Sequence, residues 1–182
     1  CRHCGSDCRS EATQKDMPLE DFLGVLDNIA AHTDPHKVFV IISGGEPLMR
    51  KDLAEVGKAL KQRGYPWGMV TNGLALTEKR FKELMASGLR SMAISFDGME
   101  LNHNWLRQHP LAFEGATRAI KLAAATPSLT WDVVTCVNQR SFPQIDEMQK
   151  YLWSIGVRHW RLITIDPMGR AADNPELLLT PE

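Results

Sequence analysis

The sequence predicts an α/β fold, a partial (β/α)6 TIM-like barrel built around a parallel sheet. Two observations carry this prediction. Short β-branched apolar runs recur roughly every 25 to 40 residues, and the segments between them place apolar residues three and four positions apart. Parallel strands joined by helical crossovers produce such an alternation. The chain has 182 residues, 43% of them apolar and 24% charged, which is enough for one such domain.

Five strands are predicted from the apolar runs. Each run is short and rich in β-branched residues, which is typical of strands buried in a parallel sheet. We therefore expect all five strands to be buried. The predicted strands are 38–42, 67–71, 91–96, 131–137 and 159–165.

Five helices are predicted from apolar stripes with helical spacing. Thr77 is the predicted N-cap of the third helix, and Gly64, Gly88 and Gly156 are predicted to end the second, third and fifth. The stripes are Leu19, Phe22, Leu23, Leu26 and Ile29; Leu53, Val56 and Leu60; Phe81, Leu84 and Met85; Ala116, Ile120 and Ala123; and Ile145, Met148, Leu152 and Ile155.

Charge and hydropathy argue against two classes of partner. The chain has 21 basic and 22 acidic residues, so its net charge of -1 gives no general attraction to nucleic acid or anionic membranes. Its apolar runs are shorter than the ~20 residues that span a bilayer. We therefore expect a cytoplasmic protein that binds neither nucleic acid nor membrane.

Small polar residues and glycines follow each predicted strand. Ligands of parallel α/β folds bind at the carboxyl ends of the strands, so these residues are candidates for one shared site. Each of them alone is equally typical of an ordinary turn. The residues are Ser43 to Pro47, Asn72 and Gly73, Asp97 and Gly98, Asn138, and Asp166.

Three of the four cysteines lie within the first eight residues, at Cys1, Cys4 and Cys8. In a reducing compartment such clustering favours a metal or redox site over disulfides. The CxxC pattern alone leaves an iron–sulfur cluster, zinc and a dithiol open. The fourth, Cys136, falls in a predicted strand and is expected to be a buried small apolar residue.

Cys1-Arg2-His3-Cys4 followed by Gly44-Gly45-Glu46-Pro47 resembles the radical S-adenosylmethionine (SAM) superfamily, whose enzymes hold a 4Fe-4S cluster on a CxxxCxxC loop. The resemblance implies that Cys1 and Cys4 are the second and third cysteines of that loop, with His3 marking the register. It places the first cysteine, and the first barrel strand, before Cys1. We therefore expect an N-terminally truncated barrel, inactive on its own, with Cys8 as an alternative ligand.

The resemblance also implies a SAM site along the rim of the barrel. The GGEP segment would meet the SAM ammonium, with glycines because a Cβ would obstruct the approach, and Ser95 would contact the ribose. The reduced cluster would cleave SAM to a 5′-deoxyadenosyl radical that abstracts hydrogen from substrate, using a cellular one-electron donor; no catalytic side chain is assigned. The implied cofactor residues are Gly44, Gly45, Glu46, Pro47, Thr71, Asn72, Ser95, Asp97 and Asn138.

Two further segments resemble the enzymes of this superfamily that carry a cysteine-rich SPASM extension. Asp97-Gly98 with His103 and Arg107 resembles SxDG...HDxxRG, and Pro167 to Ala171 resembles PxGRA. The resemblance implies a core domain at 1–165, an exit loop at 166–182 towards such an extension, and a peptide, protein or cofactor precursor as substrate. From the residues themselves, His103 and Arg107 either orient the barrel mouth or form a surface pair.

Two other functions are weighed against this one. A zinc-binding α/β interaction module would use the N-terminal cysteines with a histidine and would be colourless. A dithiol oxidoreductase would use Cys1 and Cys4, but a thioredoxin-like fold has a strand before its CxxC and fewer βα units.

Overall fold

The structure, a computed structural model, describes residues 1–6, 8 and 16–180 and contains one five-stranded parallel sheet. The strands lie in chain order, and every neighbouring pair is parallel. This confirms the predicted α/β class and parallel sheet. Residues 7 and 9–15 of the predicted core domain, and 181–182 of the predicted exit loop, lie outside the described residues. The strands are β1 (Val40–Ile42), β2 (Trp67–Thr71), β3 (Leu89–Ser95), β4 (Thr130–Val137) and β5 (Trp160–Thr164).

Helices connect successive strands, and all five predicted helices are present. Thr77 caps the third predicted helix as expected, because its Oγ1 accepts a hydrogen bond from the backbone N–H of Arg80 at 3.1 Å. The helices are α1 (Leu19–Ala30), α2 (Leu53–Gln62), α3 (Glu78–Ala86), α4 (Glu100–Arg107), α5 (Ala112–Ala124) and α6 (Ile145–Ser154).

Helix α4 was not predicted. It is only eight residues long, and its two buried residues are His103 and Leu106. Of its three apolar residues, Leu101, Trp105 and Leu106, only Leu106 is buried, and Leu101 is 85% exposed. The helix therefore has no stripe of core-facing apolar residues by which periodicity could reveal it. It ends at Gln108, which adopts a left-handed conformation with φ of 59°.

The prediction that all five strands are buried is wrong for β1 and β5. Ile41 in β1 is 61% exposed, and Leu162 in β5 is 49% exposed. Among the described residues, each of these strands has a neighbour on one side only. The inner strands are buried as predicted, with Trp67 and Ile94 fully inside the core.

Helix α2 packs unusually closely on β2. A Cβ added at Gly57 would lie 2.4 Å from the Trp67 ring and 2.7 Å from the Ser87 hydroxyl. The indole in turn donates to the Ser87 carbonyl at 3.3 Å, which fixes the ring in place. Glycine at position 57 therefore permits the contact between helix and sheet.

No helix in the described part of the chain combines the length and apolar character needed to cross a bilayer.

We predict that Gly57→Ala destabilises the fold by about 1–3 kcal/mol, because the added methyl group overpacks the helix–sheet contact. Gly24→Ala is a matched control, since Gly24 also lies inside a helix but nothing within 4 Å would meet its Cβ. Helix propensity predicts that this control gains about 0.5–1 kcal/mol. Urea unfolding followed by circular dichroism measures both, and equal stabilities of the two variants would contradict the packing argument.

Candidate functional site

The carboxylate of Glu46 joins the end of β1 to the end of β2. Its Oε1 accepts from the Thr71 hydroxyl at 2.6 Å and from the Leu48 N–H at 3.1 Å, while Oε2 accepts from the Asn72 N–H at 2.8 Å. Three predicted site residues are therefore brought together. A carboxylate has about four acceptor positions, so one on Oε2 stays available to a ligand.

The glycines before Glu46 leave open space at the same rim. Gly44 has a φ of 130°, a backbone conformation that residues other than glycine rarely adopt. A Cβ built there would meet no described atom within 4 Å. The positive φ gives a conformational reason for glycine at position 44, and obstruction of SAM by a Cβ stays a prediction. Among the described atoms, a Cβ at Gly45 would meet Cys8 Cβ, at 3.6 Å. The stretch that carries Cys1, Cys4 and Cys8, called the cysteine segment below, therefore lies against this turn. Pro47 is buried and begins a single 3-10 turn.

Asp97 is the most deeply buried charge of the site. Its Oδ1 accepts from the Cys136 N–H at 2.9 Å, and its Oδ2 accepts from Arg107 Nε at 2.6 Å with Nη2 at 2.5 Å. Burial alone would raise the pKa of this carboxyl, but the Arg107 guanidinium and the other donors hold it below its usual value. The group is therefore an ionised carboxylate that links β3, β4 and α4.

His103 fixes the backbone beside that carboxylate. Its Nδ1 accepts from the Asp97 N–H at 2.9 Å, and its ring stacks on Phe96 at 5.5 Å. Burial lowers the pKa of His103 to about 4, so the ring is neutral and its proton resides on Nε2. With His103 fully buried and Arg107 paired to Asp97, the two residues shape the barrel mouth and do not form a surface pair.

Helix α4 also holds the cysteine segment. Arg107 Nη1 donates to the Cys1 sulfur at 3.7 Å, and the Arg2 N–H donates to the Leu106 carbonyl at 2.9 Å. The Arg2 guanidinium lies 4.7 Å from the centre of the Trp105 ring, a cation–π geometry. Cys1 and Arg2 are thus attached to a rigid helix.

The segment after β5 also holds the cysteine segment. Arg170 donates from its backbone N–H to the Cys4 carbonyl at 3.0 Å, from Nε to the Cys1 carbonyl at 2.8 Å and from Nη1 to the Cys8 carbonyl at 2.8 Å. The preceding Gly169 packs so tightly that a Cβ would come within 2.5 Å of the Cys4 oxygen. The domain boundary at residue 165 stays a prediction, but residues beyond it contribute to this site.

The environment of Cys4 favours a thiolate. Burial acts to raise the pKa of its thiol, but the backbone N–H groups of Cys8 and Ser6 and the charge of Arg170 outweigh burial and lower it. Cys136 behaves oppositely, because burial and the nearby Asp97 raise the pKa of its thiol to about 12. It is therefore a protonated thiol, and it is half-buried, whereas the sequence predicts a buried residue.

His3, between Cys1 and Cys4 in sequence, has a buried Nδ1 without a hydrogen-bond partner among the described residues. Burial lowers the pKa of His3 to about 4. Its ligand atom and those of Asp97 and Cys136 lie within 4.8 Å of one another. Arg107 already occupies Asp97 Oδ2 and the Cys136 thiol is protonated, so this trio is a poor place for a cation.

Two predicted SAM residues have structural environments of their own. Asn138 Oδ1 accepts from the backbone N–H groups of Arg140 and Ser141 at 3.0 and 3.2 Å, and its Nδ2 donates to the Cys136 carbonyl at 3.2 Å. Its side chain therefore stabilises the turn after β4. Ser95 is half-buried at the end of β3. A role of either residue in SAM binding stays a prediction.

The site fits the groups that the sequence analysis predicts. Cys4 is polarised towards the thiolate that iron–sulfur ligation requires, and Cys1 faces a cation. The turn at Gly44 is open, and Glu46 retains an acceptor position for an ammonium group. These features lie at one edge of the sheet, where ligands of parallel α/β folds bind.

Curated proteins with similar sequences cover the whole chain. The chain is 25% identical over 183 aligned positions to an AdoMet-dependent heme synthase of Oleidesulfovibrio alaskensis, covering 100% of this chain and 46% of that protein. It is 24% identical over 180 positions to a PqqA peptide cyclase of Rhizobium meliloti, covering 98% of this chain and 47% of that protein. The chain thus spans less than half the length of these relatives.

Among solved structures, SuiB of Streptococcus suis bound to its precursor peptide SuiA matches with a TM-score of 0.74 at 15% identity, covering 92% of this chain and 36% of that one. This likeness supports the fold alone. The family model described as the radical SAM superfamily matches residues 1–152, most of the chain. The chain therefore belongs to the radical SAM superfamily.

Proposed function

We propose that this chain forms the cofactor-binding core of a radical SAM enzyme that holds a 4Fe-4S cluster on its cysteine segment. The observation that carries the proposal is the position of that segment, which lies against Gly45 at the carboxyl edge of the sheet. There the segment is held by hydrogen bonds from Arg107 and from Arg170. A spare pair of surface thiols would need neither attachment.

Cys1 and Cys4 are the proposed cluster ligands. The family pattern places a third cysteine four positions before Cys1, and Cys8 is the alternative. Three thiolates would leave one iron open for SAM. When bound, the cluster and SAM together supply a 5′-deoxyadenosyl radical that abstracts hydrogen from a substrate.

The protein's part is to bind and orient SAM. Glu46 would accept from the SAM ammonium through its remaining acceptor position, while Thr71 and Asn72 hold the carboxylate in place. Gly44 and Gly45 keep the approach open, and Pro47 fixes the chain as it leaves the turn. Ser95 and Asn138 are proposed to approach the ribose and the rest of SAM, and Asp97 to support Ser95's strand end.

The substrate is proposed to be a peptide, a protein or a cofactor precursor. Relatives of similar sequence are named for heme synthesis and for cyclisation of a peptide, which supports both classes. A cellular one-electron donor would reduce the cluster. The resemblance of Pro167 to Ala171 to the SPASM-bearing enzymes supports a further extension in the same polypeptide.

We predict that Cys4→Ala abolishes iron binding and SAM cleavage in the protein expressed with its natural flanking sequence. The variant lacks a thiolate ligand, and losing a ligand should cost at least the roughly tenfold in metal affinity that losing a supporting residue costs. Anaerobic reconstitution with iron and sulfide should therefore give less than about a tenth of the wild-type visible absorbance. No 5′-deoxyadenosine should form. Cys136→Ala is the matched control and should keep both. A colourless wild-type protein with one bound zinc would instead support the zinc-binding module.

We also predict that Glu46→Gln lowers the affinity for SAM by about tenfold or more, equivalent to ~1.4 kcal/mol. The amide removes the charge and turns one acceptor into a donor that faces the Thr71 hydroxyl or the Asn72 N–H. Glu114→Gln is the control, because Glu114 lies exposed on α5 and pairs only with Arg118. Equilibrium dialysis of the reconstituted protein with SAM measures both, and an unchanged affinity of Glu46→Gln would remove Glu46 from the SAM site.

A further inference from the structure

We propose that Arg107 is a positioning residue that orients Cys1 towards the cluster and raises the reduction potential of that cluster. The inference rests on the proposed function and deepens it. It assigns a task to a side chain that is neither a proposed cluster ligand nor one of the predicted SAM residues. Its basis is the arrangement of Asp97, Arg107 and Cys1 at the edge of the sheet.

The guanidinium of Arg107 has two distinct sets of partners. Nε and Nη2 lie 2.6 and 2.5 Å from Asp97 Oδ2, and Nη1 lies 3.7 Å from the Cys1 sulfur. Asp97 is fully buried and Arg107 is 12% exposed, so the planar group has little freedom to turn away. The direction of Nη1 is thus set by the buried carboxylate.

Asp97 is itself held by two neighbouring elements. Its carboxylate accepts from the Cys136 N–H on β4, and its backbone N–H donates to His103 Nδ1 on α4. The position of the Cys1 sulfur is therefore coupled to the sheet through a chain of hydrogen bonds. The proposed ligand atom of Cys1 is therefore held in place from the sheet.

A donor on a ligating sulfur changes the redox chemistry of a cluster. Hydrogen bonds to cluster sulfurs are among the features that set the reduction potential, because they stabilise the more negative reduced form. Asp97 compensates the charge of Arg107, so the pair adds no net charge beside the iron. The effect on the potential then comes from the directed N–H group.

The test compares Arg107→Lys with Arg161→Lys in the reconstituted protein expressed with its natural flanking sequence. Lysine can still pair with Asp97 but lacks the branch that reaches Cys1. Arg161 forms a more exposed arginine–carboxylate ion pair with Asp132, which lies four residues before Cys136 on β4, about 13 Å along the strand. Redox titration followed by electron paramagnetic resonance gives the midpoint potential, and a chelator challenge gives the rate of iron release.

We expect Arg107→Lys to fold, to show a midpoint potential more negative than wild type, and to release iron about tenfold faster. Arg161→Lys should match wild type in both. A folded Arg107→Lys protein that takes up no cluster also supports the positioning role, whereas wild-type potential and iron retention in that variant overturn it. If the wild-type protein itself forms no cluster, the proposed function fails and this inference fails with it.

Should Arg107→Lys not fold, the double variant Asp97→Asn/Arg107→Gln replaces it. Removing both charges together avoids a buried carboxylate without a cation. The same negative shift and faster iron release are expected, and their absence overturns the proposal.

Discussion

A buried carboxylate is the constraint on which this site depends. Asp97 is removed from water at the end of β3, and such a group is strongly unfavourable unless donors and a countercharge surround it. The requirement draws in the Cys136 N–H from β4 and the Arg107 guanidinium from α4. Because those elements meet at Asp97, the helix that carries Arg107 is placed where it can hold the cysteine segment.

The cysteine segment in turn owes its position to residues far from it in sequence. Arg107 and Arg170 both contact it, although they lie more than a hundred residues further along the chain. Arg170 binds three backbone carbonyls of the segment, those of Cys1, Cys4 and Cys8. Thiols on a short polar segment thereby acquire defined positions without a core of their own.

Sequence periodicity predicted the strands and five helices, because buried faces repeat with the period of the element that carries them. It missed α4, whose contribution is polar and too short to repeat, and it could not show that Arg170 binds the cysteine segment. Strand ends indicated the rim that joins Glu46 and Thr71, since parallel strands end at one edge. Which donor binds which acceptor is a tertiary property, and no local pattern records it.

Two carboxylates at this edge have the same chemistry but opposite environments. Asp97 is neutralised by Arg107, whereas Glu46 accepts only from uncharged donors and has no ion pair among the described residues. The uncompensated negative charge therefore lies at the ends of β1 and β2, and the cation that faces sulfur lies at the end of β3. An ammonium group is drawn to the first position. At the second position the paired Arg107 directs an N–H group at the Cys1 sulfur. The edge thus presents an uncompensated carboxylate and a sulfur-directed donor at separate positions.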